Sequence, residues 1–203
     1  FLHLALDAYD PSGPWPESRV FSIASSPSAK DRLRITYTVQ GAYTSRMERE
    51  IVEGREVWVK LPFGSFRVAA EGDAETVLIA GGTGVTPFVA FLEHLSEQPE
   101  ATPVRLFYGA RSQTHLVYES LVEACRAHAP GFRGWLSVEE GAVSHSEGLR
   151  VGRLEIARVL AEIERPASAR YFLSGPPAMI SSFRGDLLRA GVSAEQVLTD
   201  DWE

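Results

Sequence analysis

The 203-residue sequence predicts two successive architectures, an antiparallel β-sheet or small barrel followed by a parallel sheet covered by helices. Three observations predict this. Up to about Phe66 apolar residues alternate with polar ones in short segments, the mark of half-buried strands. After Thr76 short, fully apolar segments are each followed by a helical stretch, the mark of strands buried on both faces. Between them the small and polar passage Arg67 to Glu75, with Gly72-Asp73, reads as a linker. The expected division is residues 1–70 and 71–203.

In the first region the segments Leu2 to Ala8, Arg19 to Ala24, Leu33-Ile35-Tyr37-Val39 with its polar interleaves, and Val57-Trp58-Val59 are the expected strands. The turn-rich Asp10 to Ser18 separates the first two, and a helical stretch near Ser45 to Val52 precedes the Glu53-Gly54 turn. The alternation of Leu2, Leu4 and Leu6 begins with no cap or turn before it, so further residues are expected ahead of Phe1. In the second region Val77 to Ala80 precedes a helix from Pro87 through Leu95, and Arg105 to Tyr108 precedes one around Tyr118 to His128. Gly134 to Val138 precedes a helix from Arg153 to Ile163, and Tyr171 to Leu173 precedes one from Ala178 to Ala190. Such units place binding sites at the carboxyl ends of the strands.

Composition removes several classes of function. A formal charge of −7 leaves no broad cationic surface for a phosphate backbone, so nucleic acid is not an expected partner. No apolar run approaches the ~20 residues that span a bilayer, and a cytoplasmic or membrane-peripheral location is the expectation. Cys125 is the sole cysteine, so no intrachain disulfide and no cysteine-ligated cluster can form. The five histidines lack metal-ligand spacing, and no metal site is expected. Glu139-Glu140 and Asp200-Asp201 read as solvated loop charges.

The strongest local signal is Ala80-Gly81-Gly82-Thr83-Gly84-Val85-Thr86-Pro87, set between an apolar strand and a helix that Thr86 can cap and Pro87 can start. Glycines let a pyrophosphate approach the backbone, and the helix N-terminus offers unpaired N–H groups and partial positive charge. Pro87 stands where the dinucleotide fingerprint has its third glycine, and the lesser alternative for the loop taken alone is a tight strand-to-helix turn that binds nothing. A second loop, Ser174-Gly175-Pro176-Pro177, follows the last apolar strand of the same region in the same way. Arg111-Ser112, after the second strand of that region, is a candidate grip for a nucleotide 2′-phosphate, against an equal reading as a solvated loop.

In the first region Arg19, Phe21 and Ser22 put a cation, an aromatic ring and a hydroxyl on one strand, a set that suits a flavin. The plain alternative is a core Phe beside a surface Arg. Gly41-Ala42-Tyr43-Thr44-Ser45 supplies a further helix start with hydroxyls where a phosphate can rest.

RVFSIASSP, GAYTSRM, LPFGSF, GGTGVTP, LFYGAR and LSGPPAM occur in the order and rough spacing of the ferredoxin–NADP reductase family, which the whole chain resembles. The resemblance implies a Greek-key FAD-binding barrel over residues 1–70, entered part way through its strands, and a doubly wound NAD(P)H-binding domain over 71–203. It implies that Arg19 and Thr44, with Gly41 and Ser45 beside them, hold the FAD pyrophosphate, that Phe21 packs against the flavin, and that Ser22 bonds its N5. Gly82, Thr83, Gly84 and Pro87 receive the NAD(P)H pyrophosphate, and Gly175 and Pro176 line the nicotinamide side. Ser174 stands where plant-type members have Cys and, with Ser22, is the residue expected nearest hydride transfer. Trp202 is the candidate for the aromatic residue that the family places near the flavin at the C-terminus. The implied activity is hydride transfer from NAD(P)H to FAD, with electrons passed to a ferredoxin, an iron–sulfur domain, a haem protein, an oxygenase or a small-molecule acceptor. A non-catalytic flavin- or nucleotide-binding regulator of the same fold is the alternative. Arg46, Arg49, Arg55 and Lys60 are expected to form a local basic face in the first region.

Overall fold

The structure is a computed structural model that describes residues 1–69, 74–98, 102–141 and 148–200. The chain divides into two compact units, Phe1–Ser65 and Phe66–Glu203.

In the first unit β1 (Leu2–Ala5), β2 (Ser18–Phe21) and β3 (Trp58–Lys60) form an antiparallel sheet in the order β2-β1-β3. Leu4 stands opposite both Arg19 and Val59, so these three residues share one face. Helix α1 (Ala42–Glu50) packs Tyr43 and Met47 against Leu2, Leu4 and Leu6, and the Tyr43 hydroxyl donates to the Leu4 carbonyl at 2.8 Å. The alternating stretch Leu33 to Val39 is not a strand. Ile35 and Tyr37 do pack on this core, but Leu33 and Val39 are exposed. Ala24 donates to the Arg34 carbonyl (2.8 Å) as a ladder bond would, whereas the Arg34 N–H goes to the Ser25 hydroxyl (3.3 Å). A short polar side chain has taken the donor that a neighbouring strand would need. Of the expected basic face, Arg46 and Arg55 are paired with carboxylates, whereas Lys60 and Arg49 have no carboxylate partner among the described residues. Arg46 bonds Asp7 at 2.5 Å and Glu50 at 2.7 Å, Arg55 lies 3.5 Å from Glu50, and Lys60 lies over the Trp15 ring at 4.2 Å.

The second unit carries a six-stranded parallel sheet, in the order β7-β6-β5-β4-β8-β9. Its strands are β4 (Thr76–Gly81), β5 (Val104–Ala110), β6 (Phe132–Val138), β7 (Leu149–Val151), β8 (Arg170–Ser174) and β9 (Val197–Thr199). Every residue of β4 is buried, because alternate side chains enter different cores. Leu78, Leu106, Tyr108 and Phe172 pack with α2 (Thr86–Glu97) and α3 (Glu119–His128) on one face. Val77, Ile79, Phe107, Tyr171 and Leu173 pack with α4 (Ile156–Ala161) and α5 (Pro177–Arg189) on the other. Phe66 and Val68 also pack on the first of these cores, Phe66 lying 6.1 Å from Phe88 and 6.0 Å from Phe172 between ring centres.

At the amino ends of the strands Arg105 and Glu75 form a buried ion pair at 3.0 Å, with Arg105 also donating to the Gly131 carbonyl at 2.9 Å. The chain enters β4 next to this pair. Among the described residues no helix is long and apolar enough to cross a membrane, and no cluster of side chains suits a metal ion.

Candidate nucleotide site and cofactor-holding residues

Strand β4 lies inside the sheet with β5 on one side and β8 on the other. The chain leaves β4 toward β5 and returns later on the opposite side, so the connections diverge at its carboxyl end and leave a crevice there. Both loops singled out in the sequence open on this crevice, since Ala80 pairs with Ser174 immediately before each loop begins.

The glycines of the two loops do different work. A Cβ on Gly84 would collide with the Ser174 carbonyl and the Gly175 backbone, and one on Gly81 would lie 2.8 Å from Pro176 and Met179. These glycines let one loop rest on the other. Gly82, at φ +56°, has nothing within 4 Å of where a Cβ would be. It is the position at which backbone is bare and approachable, a cradle that fits a diphosphate.

Residues Gly82–Val85 form a 3₁₀ turn that runs directly into α2. Val85 is therefore the residue before the helix, and Thr86 is its first member rather than its cap. The Thr86 hydroxyl donates back to the Thr83 carbonyl, which fixes the turn. Pro87 follows in the first turn, where a missing N–H costs nothing. Gly175 and Pro176 lead into α5, so two helix N-termini face the same crevice from adjacent strands.

Ser174 is buried, and its hydroxyl donates to Asp200 Oδ2 at 2.9 Å. Asp200, expected as a solvated charge, is 8 % exposed, and its own N–H is held by the Leu173 carbonyl at 2.9 Å. A buried carboxylate is retained only with donors around it, and Ser174 is one of them. Sequence reasoning missed Asp200 because β9, which aims it, is only three residues long. Residues 201–203, with Trp202 and Asp201, lie outside the described residues.

At the carboxyl ends of β5 and β6 lie Arg111, Ser112, Glu139 and Glu140. The Ser112 hydroxyl bonds His115 Nδ1 (2.7 Å) and Thr114 Oγ1 (2.9 Å), so it belongs to its own turn. Arg111 pairs with Glu140 at 3.5 Å and Arg153 with Glu139 at 3.3 Å, all well exposed.

In the first unit the Arg19 guanidinium lies 4.6 Å over the Tyr43 ring, one residue into the helix that Gly41 opens, and pairs with Glu17 at 2.9 Å. Gly41 has φ +84° and no neighbour within 4 Å of a Cβ, and no side chain caps α1. A cation beside an uncapped, approachable helix N-terminus fits a phosphate. The Thr44 hydroxyl is committed to Gln40, donating to its carbonyl at 2.8 Å, and Ser45 gives its N–H to Gly41 (3.1 Å). The Thr44 N–H, in the first turn, is the group left to offer. Phe21 sits 5.7 Å from the Tyr37 ring, and Ser22 follows the end of β2, half-buried.

The family model described as oxidoreductase NAD-binding domain matches residues 78–185, which begin in β4 and include both glycine loops. Among curated relatives, the reductase component of propane 2-monooxygenase from Mycolicibacterium goodii is 29% identical over 92% of this chain and 55% of its own. The flavohemoprotein of Bordetella pertussis is 25% identical over 96% of this chain and 50% of its own. The chain thus spans about half the length of these relatives. A cytochrome P450 reductase from Amycolatopsis superposes with a TM-score of 0.81 at 21% identity, covering 98% of this chain and 59% of that one. A ferredoxin NADP+ reductase from Neisseria gonorrhoeae, solved with FAD and NADP, gives 0.78 at 20% identity over 98% of this chain and 84% of that one. At these identities the solved structures carry the fold.

Proposed function

Since the chain belongs to the oxidoreductase NAD-binding domain family, we propose that it is the flavin- and nicotinamide-nucleotide-binding part of a reductase, taking hydride from NAD(P)H to FAD and passing electrons to a ferredoxin, iron–sulfur, haem or oxygenase partner. One observation carries this reading: a bare, left-handed Gly82 beside the start of α2, in the crevice where the strand order reverses. The names of the relatives, a monooxygenase reductase component and a flavohemoprotein, support the onward transfer.

The residues fit the two cofactors in separate places. Gly82, Thr83 and Gly84, ahead of Pro87, take the nicotinamide dinucleotide pyrophosphate on the approach to α2. Gly175 and Pro176 shape the neighbouring wall. Arg19 and the Gly41–Ser45 turn take the FAD phosphates, with Phe21 and Ser22 toward the flavin ring. FAD, when bound, supplies the change from two-electron to one-electron chemistry. Ser174 keeps its hydroxyl hydrogen on Asp200, so toward any third group its oxygen acts as an acceptor, which orients an amide N–H without adding a charge. The test is the visible spectrum of the full-length protein before and after anaerobic addition of NADH or NADPH. A flavin absorption that bleaches is expected; a colourless protein, or a flavin that neither nucleotide reduces, overturns the reading.

A further inference from the structure

We infer, resting on the nucleotide-binding reading above, that this crevice takes NADH in preference to NADPH, because the backbone of Glu139 and Glu140 is held at the strand end that the adenosine ribose reaches. The pyrophosphate position at Gly82 sits at the end of β4, and the ends of β5 and β6 are the next places along the sheet in one direction. In folds of this kind the ribose of the adenosine half reaches the carboxyl end of the strand beside the glycine loop, here β5. An acidic residue there accepts from a ribose 2′-hydroxyl, whereas a cation there receives a 2′-phosphate.

Arg111, with Arg153 nearby, points toward NADPH. Its surroundings do not. The Glu139 N–H donates to the Ala110 carbonyl at 3.1 Å and the Glu140 N–H to the Arg111 carbonyl at 2.9 Å. Both acidic residues are therefore tied by their backbone to the end of β5, which keeps their carboxylates within side-chain reach of it. Each stands beside a guanidinium, Glu140 at Arg111 and Glu139 at Arg153, so the four described charges cancel. A 2′-phosphomonoester, which carries about −1.5 to −2 charge at neutral pH, would meet no net positive charge among these four described side chains, whose two cations are already paired with carboxylates. A 2′-hydroxyl in the same place finds carboxylate acceptors. Ser112, the other candidate for the phosphate, has its hydroxyl engaged with His115 and Thr114. The ion pairs are exposed and loose, so what discriminates is the backbone-fixed presence of the carboxylates rather than the strength of either pair.

The experiment is calorimetric titration of the full-length, flavin-loaded protein with NAD+ and with NADP+, which reads binding without turnover. NAD+ is expected to bind about 10-fold more tightly at low ionic strength, and the gap is expected to narrow with added salt. In the Glu139→Gln/Glu140→Gln variant NADP+ is expected to gain about 10-fold while NAD+ gains nothing; both side chains are exposed, and the backbone bonds survive the change. Equal or tighter binding of NADP+ by the parent, or an unchanged ratio in the variant, overturns the inference and leaves the nucleotide site standing. Failure of the flavin-loaded protein to bind either nucleotide overturns both.

Discussion

Gly84→Ala and Gly82→Ala separate the two uses of one loop at the level of single atoms. A methyl at Gly84 meets the Ser174 carbonyl and the Gly175 backbone, which cannot swing aside as a side chain can. The expected loss is about 1–3 kcal/mol of stability, from pushing the two loops apart. A methyl at Gly82 meets nothing, so its cost is the left-handed backbone alone, about 1–2 kcal/mol. Urea unfolding reads the first variant. Nucleotide titration distinguishes the second, whose affinity should fall further than its stability explains, because the methyl occupies the approach to the backbone. Ser174→Ala removes a donor from the buried Asp200 carboxylate and is expected to cost about 1.5–3 kcal/mol. Flavin content should be unchanged, and flavin reduction in rapid mixing should slow by up to ~100-fold as the nicotinamide loses its alignment. An unchanged reduction rate would leave Ser174 with a structural role only. Ser174 itself was legible, because it stands where an apolar strand meets a glycine. Its partner was not, since no periodicity announces an aspartate 26 residues later in the sequence.

Among the elements, α1 carries the clearest dependence on pH. The Arg46 guanidinium holds the Asp7 carboxyl below the ordinary carboxylate range, chiefly by direct hydrogen bonding, and does the same to Glu50. Carboxyls with lowered values stabilise the fold above their ordinary pKa, near 4, and that contribution is lost as pH falls through the lower folded values. Acidification below about pH 4 should therefore loosen the start of the first unit, and Arg46→Gln should flatten the response. Thermal melts from pH 7 to pH 3 check both; equal acid sensitivity of the variant would remove the network from the account. The helices were legible to within a few residues, as α3 and α5 show, because apolar residues recur at helical spacing along them and prolines open α5. Two short strands were not. β7 and β9 have three residues each, too few for any alternation to register, and they are strands only because β6 and β8 offer open edges to pair with. Conversely, Leu33 to Val39 has the alternation but is not a strand, and its Arg34 N–H goes to the Ser25 hydroxyl. Strand formation is settled by neighbours, which local sequence does not contain.

Across the whole molecule the two units differ in how much of each is interior. The second has a sheet covered on both faces, with β4, β5 and β8 almost wholly buried. The first rests on Leu2, Leu4, Leu6, Tyr43 and Met47 and exposes Val20, Leu33, Val39, Val52, Val59, Leu61 and Phe63. Amide hydrogen exchange should accordingly be slowest in β4, β5 and β8 and faster through β1 to β3. Equal protection in both units would contradict that difference. The change of rhythm near Thr76 was legible because buried parallel strands and half-buried antiparallel ones have different periods. The crossing of the two loops was not, since it joins segments far apart in the chain. That separation has a consequence for how the protein is made. The ribosome delivers Gly82 to Gly84 well before Ser174 and Gly175, at roughly 5–20 residues per second. During that interval the first loop has no second loop to rest on and the crevice has one wall. A nascent chain stopped before β8 already contains the Gly82 turn but lacks the loop it rests on, so on the proposed reading affinity for the nucleotide is expected only once β8 and the Ser174-Gly175 loop have been made.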